Sequence, residues 1–84
     1  MSSGQVDAWA EALLGLVFES EGMQDLGVGR DEARALGEEI YGSGGFALMR
    51  EVALRARDLG LLRGQRFALG YIERWWSGIG PWQA

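Results

Sequence analysis

Apolar residues recur along this chain every three or four positions and nowhere alternate with polar ones in a sustained run. The first spacing lines one face of an α-helix, whereas alternation would line one face of a strand, so the pattern predicts an all-α protein. Four segments emerge. Glycines at 22, 42, 60 and 78 stand where each is expected to stop, because glycine adopts the left-handed conformation of a C-terminal cap without a Cβ clash.

The first expected helix covers about residues 4 to 21, with Val6, Trp9, Leu13, Leu16, Val17 and Ser20 on one stripe and Asp7, Glu11 and Glu19 outside it. Ser2 and Gln5 have the spacing of a capping box, and Met23 is expected to fold back onto Phe18 beyond the Gly22 stop. The second starts after Gly29 and ends before Gly42. Asp31 and Glu32 lie in its first turn, at the positive end of the helix dipole, and Ala33, Leu36, Ile40 and Tyr41 form its inward edge. Gly42-Ser43-Gly44-Gly45 then reads as a tight turn into a third helix, about 45 to 59, with Phe46, Met49, Val52, Ala53 and Ala56 on its apolar face.

The fourth helix is expected from about Arg63 to Ser77. Phe67, Tyr71 and Trp75 repeat at four-residue spacing, with Leu69, Ile72 and Trp76 adjoining. That stripe is too wide for one neighbouring helix to cover, which places this helix at the centre of the core. Gly78, Gly80 and Pro81 end it and leave Trp82 on a short tail that tucks back. Gly15, Gly37 and Gly70 fall inside the first, second and fourth helices. Each costs about 1 kcal/mol relative to alanine there, so each is read as a close approach between helices.

Length sharpens this into an architecture. Eighty-four residues make one small domain, 1–84, which buries only about two thirds of the surface its unfolded chain exposes. No cysteine or histidine is present to staple it; four tryptophans, three phenylalanines and two tyrosines supply apolar area instead. The expectation is a compact bundle of four short helices, dimeric, with the homodimer sharing a core. The opening Met-Ser-Ser-Gly-Gln lacks the basic and apolar regions of a signal peptide. The apolar run Ala12 to Phe18 is too short to cross a bilayer, and the lack of cysteine suits a reducing compartment. A soluble, cytoplasmic protein is expected.

Charge is unevenly spread. Residues 1–41 carry nine acids against Arg30 and Arg34, a net of −7, and residues 42–84 carry six arginines against three acids, a net of +3. The two halves are expected to lie against each other, or against a second subunit, with complementary fields.

The chain has no lysine either. Cysteine, histidine and lysine do most nucleophilic, metal-binding and near-neutral proton-transfer chemistry. Tyr41 near Glu38, or a buried Glu73 beside Trp75 and Trp76, is the acid–base chemistry that remains, but carboxylate-only enzymes need a large substrate cleft. Gly42 to Gly45 lacks the Gly-Lys-Ser/Thr ending of a phosphate loop. Glu19, Glu21 and Asp25 lack the spacing of a calcium loop. The expectation is a protein that is not an enzyme and takes no cofactor or metal.

Two clusters remain as candidate contacts. Trp75, Trp76, Ile79 and Trp82 form an aromatic C-terminal end. Adjacent helical residues are about 100° apart, so Trp75 and Trp76 cannot share one narrow seam, and the cluster reads as core, dimer interface or partner surface. Arg57, Arg63 and Arg66 form an arginine corner. With Arg63 and Arg66 in the first turn of a helix, where the dipole disfavours cations, a carboxylate such as Glu38 or Glu39, or a bound small anion, is expected to compensate.

The functional reading is a non-catalytic protein-interaction or regulatory module acting through its aromatic end, with itself or another protein as partner. Nucleic-acid binding through a helix-turn-helix-like pair, helices two and three, is the alternative. The net negative charge and the apolar Phe46-Ala47-Leu48-Met49 at the start of the would-be recognition helix argue against it. Small-anion binding at the arginine corner is a further alternative. Acidity and the absence of lysine also argue against a membrane surface.

Overall fold

The computed structural model describes residues 3–25 and 27–82. Among them are three helices and no strand: α1 (Ser3–Met23), α2 (Arg30–Leu62) and α3 (Ala68–Trp76). The all-α class is the one the periodicity predicts. Three helices form where four are expected, because the second and third expected segments are one element. A straight helix of 33 residues would be about 50 Å long, yet the molecule measures 31 × 26 × 17 Å. The chain folds α2 back at Gly45, whose φ of 73° and ψ of −164° lie in a region open almost only to glycine. The expected turn Gly42–Gly45 is therefore a crease one residue wide, and both arms of α2 pack on the core.

The helix ends also differ from expectation. α1 runs through Gly22, and Gln24 takes the left-handed position at φ 54°. Asp25 N–H donates to Ser20 C=O and Gln24 N–H to Glu21 C=O, both at 3.1 Å, which satisfies two carbonyls that a helix end leaves orphaned. Met23 stays exposed instead of folding onto Phe18. α2 likewise passes its expected stop at Gly60. The left-handed residue is Gly64 (φ 82°), and Gln65 N–H donates to Gly60 C=O at 2.7 Å while Gly64 N–H reaches Leu61 C=O at 3.4 Å. Gly60 is required for a different reason. A Cβ there would meet the Gln65 carbonyl oxygen at 2.9 Å, so the returning turn occupies that space.

α3 begins at Ala68, five residues after the expected Arg63. Arg63 is the C-terminal cap residue of α2 and Arg66 precedes α3, so neither stands in the first turn of a helix. Ser2, half of the expected capping box, lies outside the described residues.

The core is formed by Val6, Trp9, Ala10, Leu13, Leu14, Leu16 and Val17 of α1, Ala33, Ile40, Met49, Val52, Ala53, Ala56 and Leu59 of α2, and Ala68, Ile72, Trp75 and Trp76 of α3, with Ile79 and Trp82 from the tail. The stripe on α1 is wider than the sequence suggested because α1 meets both arms of α2 and also α3. Ser20 is buried among these residues and its hydroxyl reaches the carbonyls of Asp25 (2.8 Å) and Val28 (3.2 Å), fastening the α1–α2 loop to the helix it leaves. Of the three mid-helix glycines, only Gly37 marks a close approach. A Cβ on Gly15 or Gly70 would meet nothing within 4 Å.

Complementary halves do meet within the chain. Arg55 pairs with Asp7 at 2.7 Å, and Arg63 makes two 2.7 Å hydrogen bonds to the carboxylate of Glu11. Asp7 and Glu11 are one turn apart on α1, so the basic second arm of α2 lies along the acidic first helix.

Candidate functional site

The aromatic C-terminal end is inside the molecule. Trp75 and Trp76 are 1% and 0% exposed, and Ile79 and Trp82 are also buried. Adjacent indoles can both be buried because α3 is covered on two sides, by α1 and by α2. Trp76 donates its indole N–H to the Ala33 carbonyl at 2.8 Å. Trp82 tucks back as expected, meeting Trp76 edge-on with ring centres 5.2 Å apart and Phe46 at 5.4 Å. Its own indole N–H is buried without an acceptor among the described residues. Arg34, from the first arm of α2, donates to the carbonyls of Trp75 (2.8 Å) and Ser77 (2.9 Å). A cation thus sits on the negative end of the α3 dipole and holds the aromatic end in place.

The arginine corner does not converge. Arg63 is bound bidentate by Glu11, the compensating carboxylate, in place of the Glu38 or Glu39 considered from sequence. That hydrogen bond, foremost, holds the Glu11 carboxyl below the ordinary glutamate range and raises the Arg63 guanidinium above its own. Arg57 turns to its neighbour Asp58 (3.0 Å). Arg66 lies over the ring of Phe67, 5.7 Å from its centre. The three guanidinium groups therefore face three different partners.

Sequence reasoning missed the surface beside them. Leu62 is 82% exposed, Phe67 60% and Leu61 54%; the two leucines end α2 and Phe67 caps α3, so the three flank the turn that joins the helices. This turn is firmly held. The buried Gln65 donates to Glu21 on α1 (2.8 Å) and accepts the Phe67 N–H (2.9 Å) through its side-chain oxygen. Together with the Arg63–Glu11 fork and the backbone closures of α2, these hydrogen bonds fix the turn between the exposed leucines and Phe67. The run Leu-Leu-Arg-Gly-Gln-Arg-Phe carries the only legible signal, two leucines beyond a helix-stopping glycine and with no place on the inward stripe.

Phe67 opens onto a groove of about 430 Å³ along α3, lined by Gln24, Asp25, Phe67, Gly70, Tyr71 and Arg74. Phe67, Gly70, Tyr71 and Arg74 share one helical face by their spacing. Gly70 gives that face a floor without a side chain, and the α1 end supplies the opposite wall. Asp25 is occupied, its carboxylate accepting the Gly27 N–H at 2.9 Å.

The remaining candidates contribute little to a site. At the start of the second arm of α2, Met49 is buried, while Phe46 is 39% exposed with its ring against Trp82 and Ala47 is exposed. Glu73 is exposed, and Tyr41 lies with its ring against Gly80. Among the described residues no group of three or more carboxylates is placed to hold a metal ion, and no helix is long and apolar enough to cross a membrane.

Comparison with protein-family models, with curated proteins and with solved structures finds no match for this chain.

Proposed function

We propose that this chain is a non-catalytic protein-interaction module whose contact surface is the turn between α2 and α3. The observation that carries this reading is the exposure of Leu61, Leu62 and Phe67 on a turn pinned by Gln65 and Arg63. Apolar side chains on a loose turn collapse onto the nearest core. Held outward by fixed hydrogen bonds, they are prepared for a partner without the ordering cost that weakens flexible contacts. The indoles of the aromatic end serve this surface from within, because they seat α3 and thereby set the position of Phe67.

The homodimer expected of so short a chain belongs to the same proposal. Two copies meeting at Leu61 and Leu62 about a two-fold axis would bury Leu62, the most exposed large apolar side chain among the described residues, together with its neighbour, in the commonest oligomer symmetry. Light scattering over a concentration series tests this, with wild type expected at twice the chain mass. The double variant Leu61→Ser/Leu62→Ser is expected at the single mass with an unchanged melting temperature. Recovery of bound proteins from the source-cell extract, run with both forms, tests the broader reading. A wild type that stays monomeric and recovers nothing the variant fails to recover overturns it.

A further inference from the structure

The α3 face beyond the turn differs from the leucine corner in one respect, which is charge. Arg66 is not itself in the groove lining but stands over the ring of Phe67, which is, and Arg74 lines the groove further along α3. Neither has a carboxylate partner within salt-bridge distance among the described residues. Between them lie two aromatic walls, Phe67 and Tyr71, and the bare floor of Gly70. From Phe67 to Arg74 is two helical turns, about 10 Å of backbone, so the two arginines belong to successive turns of the same face. They match two carboxylates set about two turns apart with apolar side chains between.

On these grounds we infer that the groove along Phe67, Gly70, Tyr71 and Arg74 is a docking site for an acidic amphipathic helix of a partner protein. This rests on the interaction-module reading and names the partner's chemistry. An apolar anchor of the incoming helix lies over Gly70 between the two rings, as in other helix-in-groove complexes. Its flanking carboxylates meet Arg66 and Arg74, where planar forks accept carboxylate oxygens in pairs. The chain's own net charge of −4 does not oppose this, because exposed charges are screened beyond about 8 Å at physiological salt.

The test uses the full chain and a synthetic helical peptide with leucine or tryptophan on one face and glutamates two turns apart beside it. A version with lysine for glutamate and a scrambled version serve as controls. Fluorescence anisotropy is expected to show saturable binding of the acidic peptide alone. Gly70→Gln should weaken it by at least about tenfold, as loss of a central contact does, while raising the melting temperature, because a side chain there enters open space. The pair Arg66→Glu/Arg74→Glu should reverse the preference and bind the lysine peptide. Equal binding of acidic and scrambled peptides, indifference to Gly70→Gln, or no reversal in the charge-swapped pair overturns the assignment. So does binding of phosphatidylglycerol vesicles in competition with the peptide. If Gly70→Gln still recovers the same proteins from extract, the groove assignment fails while the interaction reading stands.

Discussion

A Cβ on Gly37 would stand 2.6 Å from the indole nitrogen of Trp76, so the indole occupies the space that any other residue at 37 would fill. The same nitrogen donates to the carbonyl of Ala33, one turn earlier on the same face of α2. The ring thus lies against the helix backbone and donates its hydrogen bond to it. Gly37→Ala should gain about 1 kcal/mol of helix propensity and lose more to the clash, since overpacking a fixed site costs roughly 1–3 kcal/mol. A lower melting temperature is expected. An unchanged or higher one would mean that Trp76 is not seated there.

Gly70→Ala and Gly15→Ala should do the opposite. Both glycines lie inside helices and face open space, so each replacement is expected to stabilise by up to about 1 kcal/mol, a rise of several degrees in a domain of this size. Thermal unfolding of the three alanine variants side by side separates the seat from the two open positions.

Removing the indole altogether should be severe. Trp76→Ala leaves a cavity beside Trp82 and Gly37, and such truncations cost about 3–5 kcal/mol against a typical total of 5–15. Loss of the cooperative transition, or a midpoint shifted far down in urea, is the expected result.

All four tryptophans are nine-tenths or more buried. Native fluorescence is therefore expected to be blue-shifted and poorly quenched by iodide, changing to water-like emission only on unfolding. Full quenching in the native state would contradict the placement of α3.

The Glu11–Arg63 pair predicts an acid-side effect. Because the folded-state pKa of Glu11 is depressed, its contribution is present above the unfolded value and is lost as pH falls through the folded one, on the acid side of the ordinary glutamate range. Both groups are exposed, so the effect is small and weakened further by salt. Urea midpoints between pH 7 and 3 should fall less steeply for Glu11→Gln than for wild type.

Much of the fold was legible because burial imposes a period on side chains. The stripe Val6 to Ser20, Ala33 and Ile40 on the inward edge, the face Met49 to Ala56 and the return of Trp82 all follow from it, whereas Tyr41 and Phe46, expected on those same faces, are 40% and 39% exposed. The helix boundaries were not, for the reason Gln24 and Gly64 illustrate. Any of several nearby residues can take the left-handed cap, and the choice falls to whichever carbonyls the next segment can reach. Gly22 and Gly60 looked like stops but are continued through. Arg63 was misplaced with the boundary, and its apparent conflict with a helix dipole disappeared once Glu11 was its partner. The apolar turn escaped because exposed leucines have no period to betray them; only the hydrogen bonds of Gln65, spanning 44 residues to Glu21, show that they are held out.

The segment Gly-Ser-Gly-Gly would ordinarily be where a protein tolerates length changes. Here it is a crease, with helix on both sides of Gly45. One residue added or removed beside it rotates everything downstream by about 100°, turning Met49, Val52 and Ala56 out of the interior and Arg50 or Glu51 into it. Insertions that a true loop would absorb are therefore expected to be as damaging here as in the middle of the core, and natural variants of this chain should differ in length elsewhere.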